Sequence, residues 1–508
     1  MILSEAEISA IIGCAAAGDE PSGQLSWAIE MRRMLDALAN SAFRPVQAAP
    51  LGKLCEAGAR YGWQSLEMAA NPKLLANVSS KARTSLIRDL RYSLEQLTRP
   101  CLELERTSFG LAMNSLGVLP GLLDPKLADR MFLADKPAHR LLALFRTFPV
   151  LARLWCQVIC QWREHVTEVL SRFAVDRRSL SRRFFNRRPI ARIVDLRCGL
   201  SDRHNSGRTV TRLQSEAGSI IYKPRSGAGE WEWFTLLEWM NGRSFRPKLR
   251  AARVLRREGY CWMEHIEAAS CKDEAAARRF YQRMGGMIAA AHLLKAVDCH
   301  RDNLIASGEY PVLVDVDALW HVSMVTKTQT PADVLYRTGF FPDSNRRGLQ
   351  SRSSVLGRGT TGNHRARIAG KSLNPVHYQR EIVTGFVKAW RCILGTRDRR
   401  ATFAKRLRRI RSQERRWISW ATEKYAAIRR ASTQPAALRS GAERDLLIAR
   451  LCSHNRTISA PIAAEIQPLA QLDIPYFVRK SNERMPSEKC SVPLELTTAI
   501  RHALQFWA

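Results

Sequence analysis

The sequence predicts an α+β fold in which one short block of strand-like text sits between two long helical stretches, and three observations carry that expectation. From Ser4 to about Phe173, apolar residues recur at helical spacing among Leu, Ala, Arg and Glu, with Pro or Gly at the breaks. From Ala191 to Pro224, the segments ARIVDL, RTVTRL and SIIYKP alternate β-branched and polar residues around turn-forming text, as a small antiparallel sheet does. From about Val376, helical text resumes and continues with interruptions to an amphipathic end at Pro493 to Trp507. The chain thus reads as a helical region over 1–190, a core over 191–325 with a small lobe at about 191–270, a long loop over 326–375 and a second helical region over 376–508.

Within the core the elements follow in order. The basic stretch DRRSLSRRFFNRRP, from Asp176 to Pro189, reads as an exposed linker or a phosphate-facing surface. After the sheet, Glu230 to Asn241 reads as a helix and Gly259 to Ile266 as a strand. Asp273 to Val297 reads as a long helix with Met284, Met287, Ile288, Ala291 and Leu294 on one face. A loop opens at Asp298, and a hairpin follows whose return strand is Pro311 to Val316. Thr326 to Asn374 is rich in Gly, Ser, Arg and Thr with little periodicity, which predicts a long loop.

Composition sets limits on function. The 508 residues include 45% hydrophobic and 25% charged residues, ordinary globular usage that argues against a mostly disordered chain. Eighty Lys plus Arg against 47 Asp plus Glu give +33, so the surface attracts anionic partners of some kind. No nucleic-acid-binding motif accompanies that charge, and nucleic acid is not expected. The twelve Cys lack the paired spacing of a zinc ribbon, so no zinc is expected and they read as reduced thiols in core packing. The apolar run from Phe148 to Trp162 is interrupted by Arg153 and is too short to span a bilayer. With no secretory signal read at its start, the chain is expected to be cytoplasmic.

Phosphoryl transfer needs a cation on the phosphates, carboxylate and amide ligands for magnesium, and a carboxylate near the attacking hydroxyl. Lys223 lies near the end of the strand-like IIYKP. Asp298 follows a long helix, and Asn303 comes after four intervening residues, the Asp-to-Asn interval of a protein-kinase catalytic loop. Beyond a hairpin turning at Ser307 to Glu309, the segment PVLVD carries Asp315, a natural magnesium ligand, with Asp317 two residues on and on the same strand face. Glu264, His265 and Ile266 fall where a hinge strand would offer its backbone to adenine. No DFG follows Asp315 and no G-x-G-x-x-G precedes Lys223, so the order implies a divergent kinase-like core.

These residues resemble the dehydratase half of the class II lanthipeptide synthetases, or LanM enzymes. The resemblance rests on SDRHNSGRTV (Ser201–Val210), IIYKPRS (Ile220–Ser226), GYCWMEHI (Gly259–Ile266), DCHRDNLIASGEYPVLVDVDALWH (Asp298–His321) and LDIPYF (Leu472–Phe477). It implies a lipid-kinase-like fold using ATP and magnesium to phosphorylate Ser and Thr of a precursor peptide carrying a leader, then to eliminate phosphate. By the same resemblance, Lys223 holds the nucleotide phosphates, Asp298 activates the substrate hydroxyl, and Asn303 and Asp315 bind the metal. His300 falls in the catalytic loop, and Asp317 stands where Glu is usual. Asp202, His204, Arg416 and Thr422 match positions tied to elimination, with Tyr425 following in the same pattern, whereas Trp420 occupies a site where the resemblance implies a second Arg.

Two further expectations follow from the match. The chain ends about thirty residues after LDIPYF, so no zinc cyclase is expected and ring closure falls to a separate cyclase protein. Ten of the twenty residues from Arg397 to Arg416 are basic, which offers a solvated helix face as the competing account of Arg416. The alternative to a dehydratase is a catalytically impaired or phosphorylation-only remnant that binds peptide through its basic surface.

Overall fold

The computed structural model describes residues 5–16, 26–40, 50–115, 137–321, 330–342, 354–356, 362–413, 415–453, 463–479 and 494–506. Two compact units emerge: Met1–Pro224 with Trp420–Pro475, and Arg225–Ser419 with Tyr476–Ala508. Compactness therefore divides the chain at different points from the four segments of sequence text. The architecture is a helix-rich α+β one.

Unit one opens with α1 (Glu5–Ala15), α2 (Ser26–Asn40), α3 (Pro50–Ala69), α4 (Pro72–Leu75), α5 (Ser80–Ser115), α6 (Pro137–Thr147) and α7 (Pro149–Phe184). Helix α7 starts on Pro149, whose fixed φ suits the first turn and whose missing N–H is not needed there. Trp155 is fully buried, and its indole N–H donates to Thr98 Oγ1 at 2.9 Å. The ring presses so closely on Gly58 that a Cβ there would lie 2.4 Å from it. Helix α7 continues through Phe184, so most of the basic stretch expected as linker or surface is helical. Phe173, Leu180 and Phe184 extend its buried stripe at helical spacing, leaving Arg178, Arg182 and Arg183 exposed.

The predicted antiparallel sheet is present as β1 (Ile193–Arg197), β2 (Thr211–Ser215) and β3 (Gly218–Lys223). Leu213 pairs with Ile220 in register, and both are buried. Gly218, at φ +140°, lies under the Phe185 ring, where a Cβ would come within 2.9 Å.

Unit two begins with α8 (Ala228–Gly242), the hairpin β4 (Val254–Arg256) and β5 (Cys261–Glu264), and α9 (Glu274–Leu293). The carboxylate of Asp273 caps α9 by accepting from Ala276 N at 2.7 Å. Next come the hairpin β6 (Leu304–Ser307) and β7 (Tyr310–Leu313), helix α10 (Pro331–Arg337), the small pair β8 (Arg367–Ile368) and β9 (Lys371–Ser372), α11 (Gln379–Leu394), α12 (Arg397–Ser412) and β10 (Arg415–Trp417). The chain returns to unit one for α13 (Thr422–Ala431), α14 (Gly441–Ser453) and α15 (Ala463–Ala470), then closes unit two with β11 (Phe477–Arg479) and α16 (Leu494–Phe506).

Helices α9 and α11 form the spine of unit two, and glycines set their approach. A Cβ at Gly285 would lie 1.9 Å from Ile382 O, and one at Gly385 would lie 1.8 Å from Gln282 O. No larger residue fits without parting the helices. Helix α10 corrects part of the expected 326–375 loop. Thr330 and Asp333 form a reciprocal capping box around Pro331, a start signal strong enough to wind seven residues. Residues 326–329, 343–353 and 357–361 of that loop lie outside the described residues. Among the described residues, no single helix is long and apolar enough to cross a membrane.

Candidate functional site

In unit two, the end of α9 leads into a loop held by backbone bonds on both sides. Val297 N donates to Ala318 O at 3.0 Å and Cys299 N to Thr338 O at 2.9 Å. Gly339, at φ +90°, lies against the Cys299 backbone. Between these anchors, Asp298 adopts a left-handed φ of +66°, a costly conformation for a non-glycine residue. The following 3₁₀ turn, Arg301–Asn303, is capped by His300, whose Nδ1 accepts from Asp302 N at 3.2 Å. A neutral His300 therefore carries its proton on Nε2, which lies 3.4 Å from Asp298 Oδ1.

The hairpin brings the next carboxylates back to this loop. Gly308, at φ +62°, takes the first central position of the two-residue turn, where a side chain is disfavoured. Leu304 then pairs with Leu313, and Val314 N donates to Asn303 O at 2.8 Å, which sets Asp315 beside the turn that carries Asn303. The Asn303 amide donates to Asp298 O at 2.8 Å.

Arginines organise the carboxylates. Arg225 binds Asp315, reaches Asp317 Oδ2 at 2.9 Å and pairs with Glu230 Oε1 at 2.7 Å. Arg416 Nη1 lies 3.6 Å from Asp298 Oδ2 and 3.8 Å from Asp317 Oδ2, with its guanidinium 5.4 Å from the Tyr476 ring centre. The Tyr476 hydroxyl donates to Asp317 at 3.4 Å. Burial raises the Asp317 carboxyl to about 6, against the pull of Arg225 and with Asp315 adding to the rise. Burial opposes the charge on Arg225 and Arg416, yet the surrounding carboxylates hold both above the ordinary arginine range. Helix α8 packs tightly here: a Cβ at Gly229 would lie 2.0 Å from Val316 O.

Arg416 thus belongs to this cluster, with its side chain only 11% exposed, and the account of it as part of a solvated basic face fails. Helix α12 ends at Ser412, and Arg416 lies in β10, paired opposite Val478 of β11. The solvated account holds for most of α12, which buries only Phe403, Leu407 and Ile410. Sequence reasoning passed over Arg225, Glu230 and Tyr476. Two of these were inside quoted motifs, Arg225 two residues after Lys223 and Tyr476 in LDIPYF, and only the fold shows their convergence.

The adenine-hinge candidates are also in unit two. The Glu264 carboxylate is taken by Arg250 at 3.0 Å and by Arg253 through Nε at 3.1 Å and backbone N at 3.2 Å. Its backbone N–H goes to Arg253 O, and the Ile266 side chain is buried.

Lys223, Asp202, His204 and Thr422 lie in unit one. Lys223 ends β3 and is buried, and Thr422 opens α13. Asp202 pairs with Arg429 at 3.5 Å. His204 Nδ1 lies 2.7 Å from Ile474 O. A carbonyl only accepts, so Nδ1 carries the proton and the lone pair of the neutral ring falls on Nε2. The loop itself rests on Asp473, which accepts from Gly207 N at 3.0 Å and lies 3.7 Å from Arg203. Asp473 anchors SDRHNSGRTV to LDIPYF, a link between two quoted motifs that spacing does not reveal.

Unit two therefore carries a carboxylate loop, a carboxylate hairpin and two half-buried arginines. The family model described as Domain of unknown function (DUF4135) matches residues 148–363 and 358–480, and the chain belongs to that family. The chain is also similar to a Lacticin 481/lactococcin biosynthesis protein of Lactococcus lactis subsp. lactis, with 23% identity over 54% of this chain. It spans 35% of that relative's length.

Proposed function

We propose that this chain is a kinase-like peptide dehydratase of lanthipeptide biosynthesis. It transfers the terminal phosphoryl group of ATP to Ser and Thr of a ribosomally made precursor peptide, then expels phosphate to leave dehydroalanine or dehydrobutyrine. The observation that carries this reading is the convergence of Asp298, Asn303, Asp315, Asp317 and Arg416 from a loop, a hairpin and a distant strand. The relative's part in making lacticin 481 supports the pathway.

In the first step the peptide hydroxyl oxygen attacks the terminal phosphorus, the bond to ADP breaks, and Asp298 takes the hydroxyl proton. His300 Nε2–H, near Asp298 Oδ1, holds the carboxylate in place. Asn303, Asp315 and Asp317 are oxygen donors of the kind magnesium takes, and the guanidinium of Arg225 already lies among the carboxylates as a cation. Bound there, magnesium would neutralise phosphate charge. In the second step a base removes the Cα proton, the Cβ–O bond breaks and phosphate departs. His204, with its lone pair on Nε2, has the basic atom for this, and Asp202, Thr422 and the Arg416 cation are assigned to the same step.

The test is mass spectrometry of a Ser/Thr-rich precursor peptide incubated with the protein, ATP and magnesium. Loss of one water per modified residue is the expected result, and Asp298→Asn should slow it about a hundredfold or more. Arg416→Lys should let phosphopeptide accumulate. A peptide that binds but changes in neither direction would overturn the enzyme reading, and stable phosphopeptide from the unaltered chain would confine it to phosphorylation.

A further inference from the structure

Arg225 is assigned no step in the reaction above, yet it lies at the centre of the carboxylate cluster. It belongs to the short loop between β3 and α8, and its guanidinium reaches three carboxylates at once: Asp315, Asp317 Oδ2 at 2.9 Å and Glu230 Oε1 at 2.7 Å. Asp315 and Asp317 are the two carboxylates assigned to magnesium, so the oxygens meant for a metal already face an internal cation. Glu230 is fully buried on α8 and has no assigned role of its own.

Charge and packing make this pairing exchangeable. The carboxylates of Asp298, Asp315, Asp317 and Glu230 meet the guanidinium groups of Arg225 and Arg416, which leaves two negative charges over, the charge that one divalent cation neutralises. Magnesium approaches its oxygen ligands to about 2.1 Å, closer than a guanidinium nitrogen does, and two cations on the same oxygens repel. The carboxylates cannot spread to take both. Gly229 packs on Val316 O so closely that a Cβ would lie 2.0 Å from it, which fixes the start of α8, with Glu230, against the segment from Asp315 to Asp317. Val314 N on Asn303 O, at 2.8 Å, fixes the other end of that segment. The movable member is Arg225, a long side chain on a loop residue, 17% exposed.

We propose that Arg225 is an exchangeable counter-cation: it competes with a divalent metal for Asp315 and Asp317, and when displaced it turns on Glu230 to the phosphates of the nucleotide. The competition follows from the contacts themselves, and only the choice of phosphate as second partner rests on the phosphoryl-transfer reading. The consequence is coupled loading. Metal alone binds weakly because it must displace the guanidinium, whereas metal with nucleotide binds well because the phosphates give that guanidinium a new anion.

The test uses two binding measurements on the full chain, neither of which needs turnover. Mn²⁺ affinity without nucleotide is read from the electron paramagnetic resonance signal of the free ion, and nucleotide affinity from the fluorescence of a mant-labelled, non-hydrolysable ATP analogue at saturating Mn²⁺. Arg225→Met should bind Mn²⁺ alone about tenfold more tightly than the parent chain and the analogue about tenfold more weakly. Arg225→Lys, which keeps a cation but not the fork, should shift both in the same directions by about threefold, and it serves where the methionine variant folds poorly. Adding Asp315→Asn and Asp317→Asn to Arg225→Lys should remove the tightened Mn²⁺ site. Opposite signs are the diagnostic, because a merely structural arginine would lower both affinities together. A fall in both, an unchanged Mn²⁺ affinity in both variants, or a tightened site that survives loss of the two aspartates would overturn the proposal. A chain that shows the opposite shifts yet modifies no precursor peptide keeps the exchange and sinks the dehydratase reading, so the two failures are distinct.

Discussion

The two units solve opposite electrostatic problems within one strongly basic chain. Unit two gathers Asp298, Asp315, Asp317 and Glu230 around two arginines, a concentration of negative charge in a molecule of net charge +33. Unit one surrounds an apolar cavity with five arginines and two aspartates, in keeping with the overall sign. Global charge selects the sign of a partner that approaches from solution, whereas chemistry on phosphates needs local carboxylates placed against that sign. A site that departs from its protein's average charge is the more informative of the two.

The largest effect on folding should come from removing the cation that holds the carboxylates together. Arg225→Met leaves Asp315, Asp317 and the buried Glu230 facing one another with less compensation, and should cost about 3–5 kcal/mol in urea unfolding. Adding Asp317→Asn to that variant should restore part of the loss. If the double variant is no more stable than the single, the ion cluster is not what Arg225 supports.

A smaller effect contrasts the units through pH. Burial depresses His165 of unit one, and His292, His321 and His364 of unit two, to about 4, with neighbouring cations such as Lys295 and Arg337 adding to the effect for His292 and His321. A depressed histidine contributes stability that is present above its unfolded value near 6.5 and lost as pH falls towards 4. Asp317 runs the other way: raised to about 6, it contributes stability that fades as pH rises from its ordinary 3.8 through 6. With three histidines against one, unit two should open first on acidification below pH 6.5. Hydrogen exchange resolved by segment checks this, and earlier opening in α5 and α7 than in α9 and α11 would contradict it.

Much of this was legible in the sequence where the signals were local. The strands around Leu213 and Ile220, the long helix before Asp298 and the hairpin turning at Gly308 all follow from periodicity and turn chemistry. The interval from Asp298 to Asn303 placed both on one loop. Signals that depend on distant pairing were not legible. Composition and periodicity in the basic run from Arg397 do not separate Arg416 from the solvated arginines before it, and only the resemblance singled it out, because its position depends on β10 pairing with β11 some sixty residues later. Arg225 and Tyr476 were likewise visible as letters in motifs, but their meeting at Asp317 is a property of the fold. The basic stretch after Asp176 misled for a related reason, since charge on the outer face of α7 concealed the buried stripe of Leu180 and Phe184.

The smallest expected effect concerns Trp420, the residue that departs from the pattern the resemblance implies. Its ring stacks on Tyr425 at 5.6 Å between centres and 30° between planes, and it packs on the cluster of Ile428, Ile448, Cys452, Leu469 and Ile474. Lys424 Nζ lies 3.7 Å from the centre of the Trp420 ring, so a cation remains beside the position even though the side chain there is aromatic. Lys424→Met should cost only about 0.5–1 kcal/mol, the value of a cation over an exposed aromatic face. Trp420→Arg should cost more, because it gives up the stack on Tyr425 and the packing beneath it while placing a second cation beside Lys424. Thermal unfolding of the two variants and their combination decides the point. If Trp420→Arg is as stable as the parent chain, the indole is not a structural member of this cluster, and the tryptophan has no packing reason to stand in place of arginine.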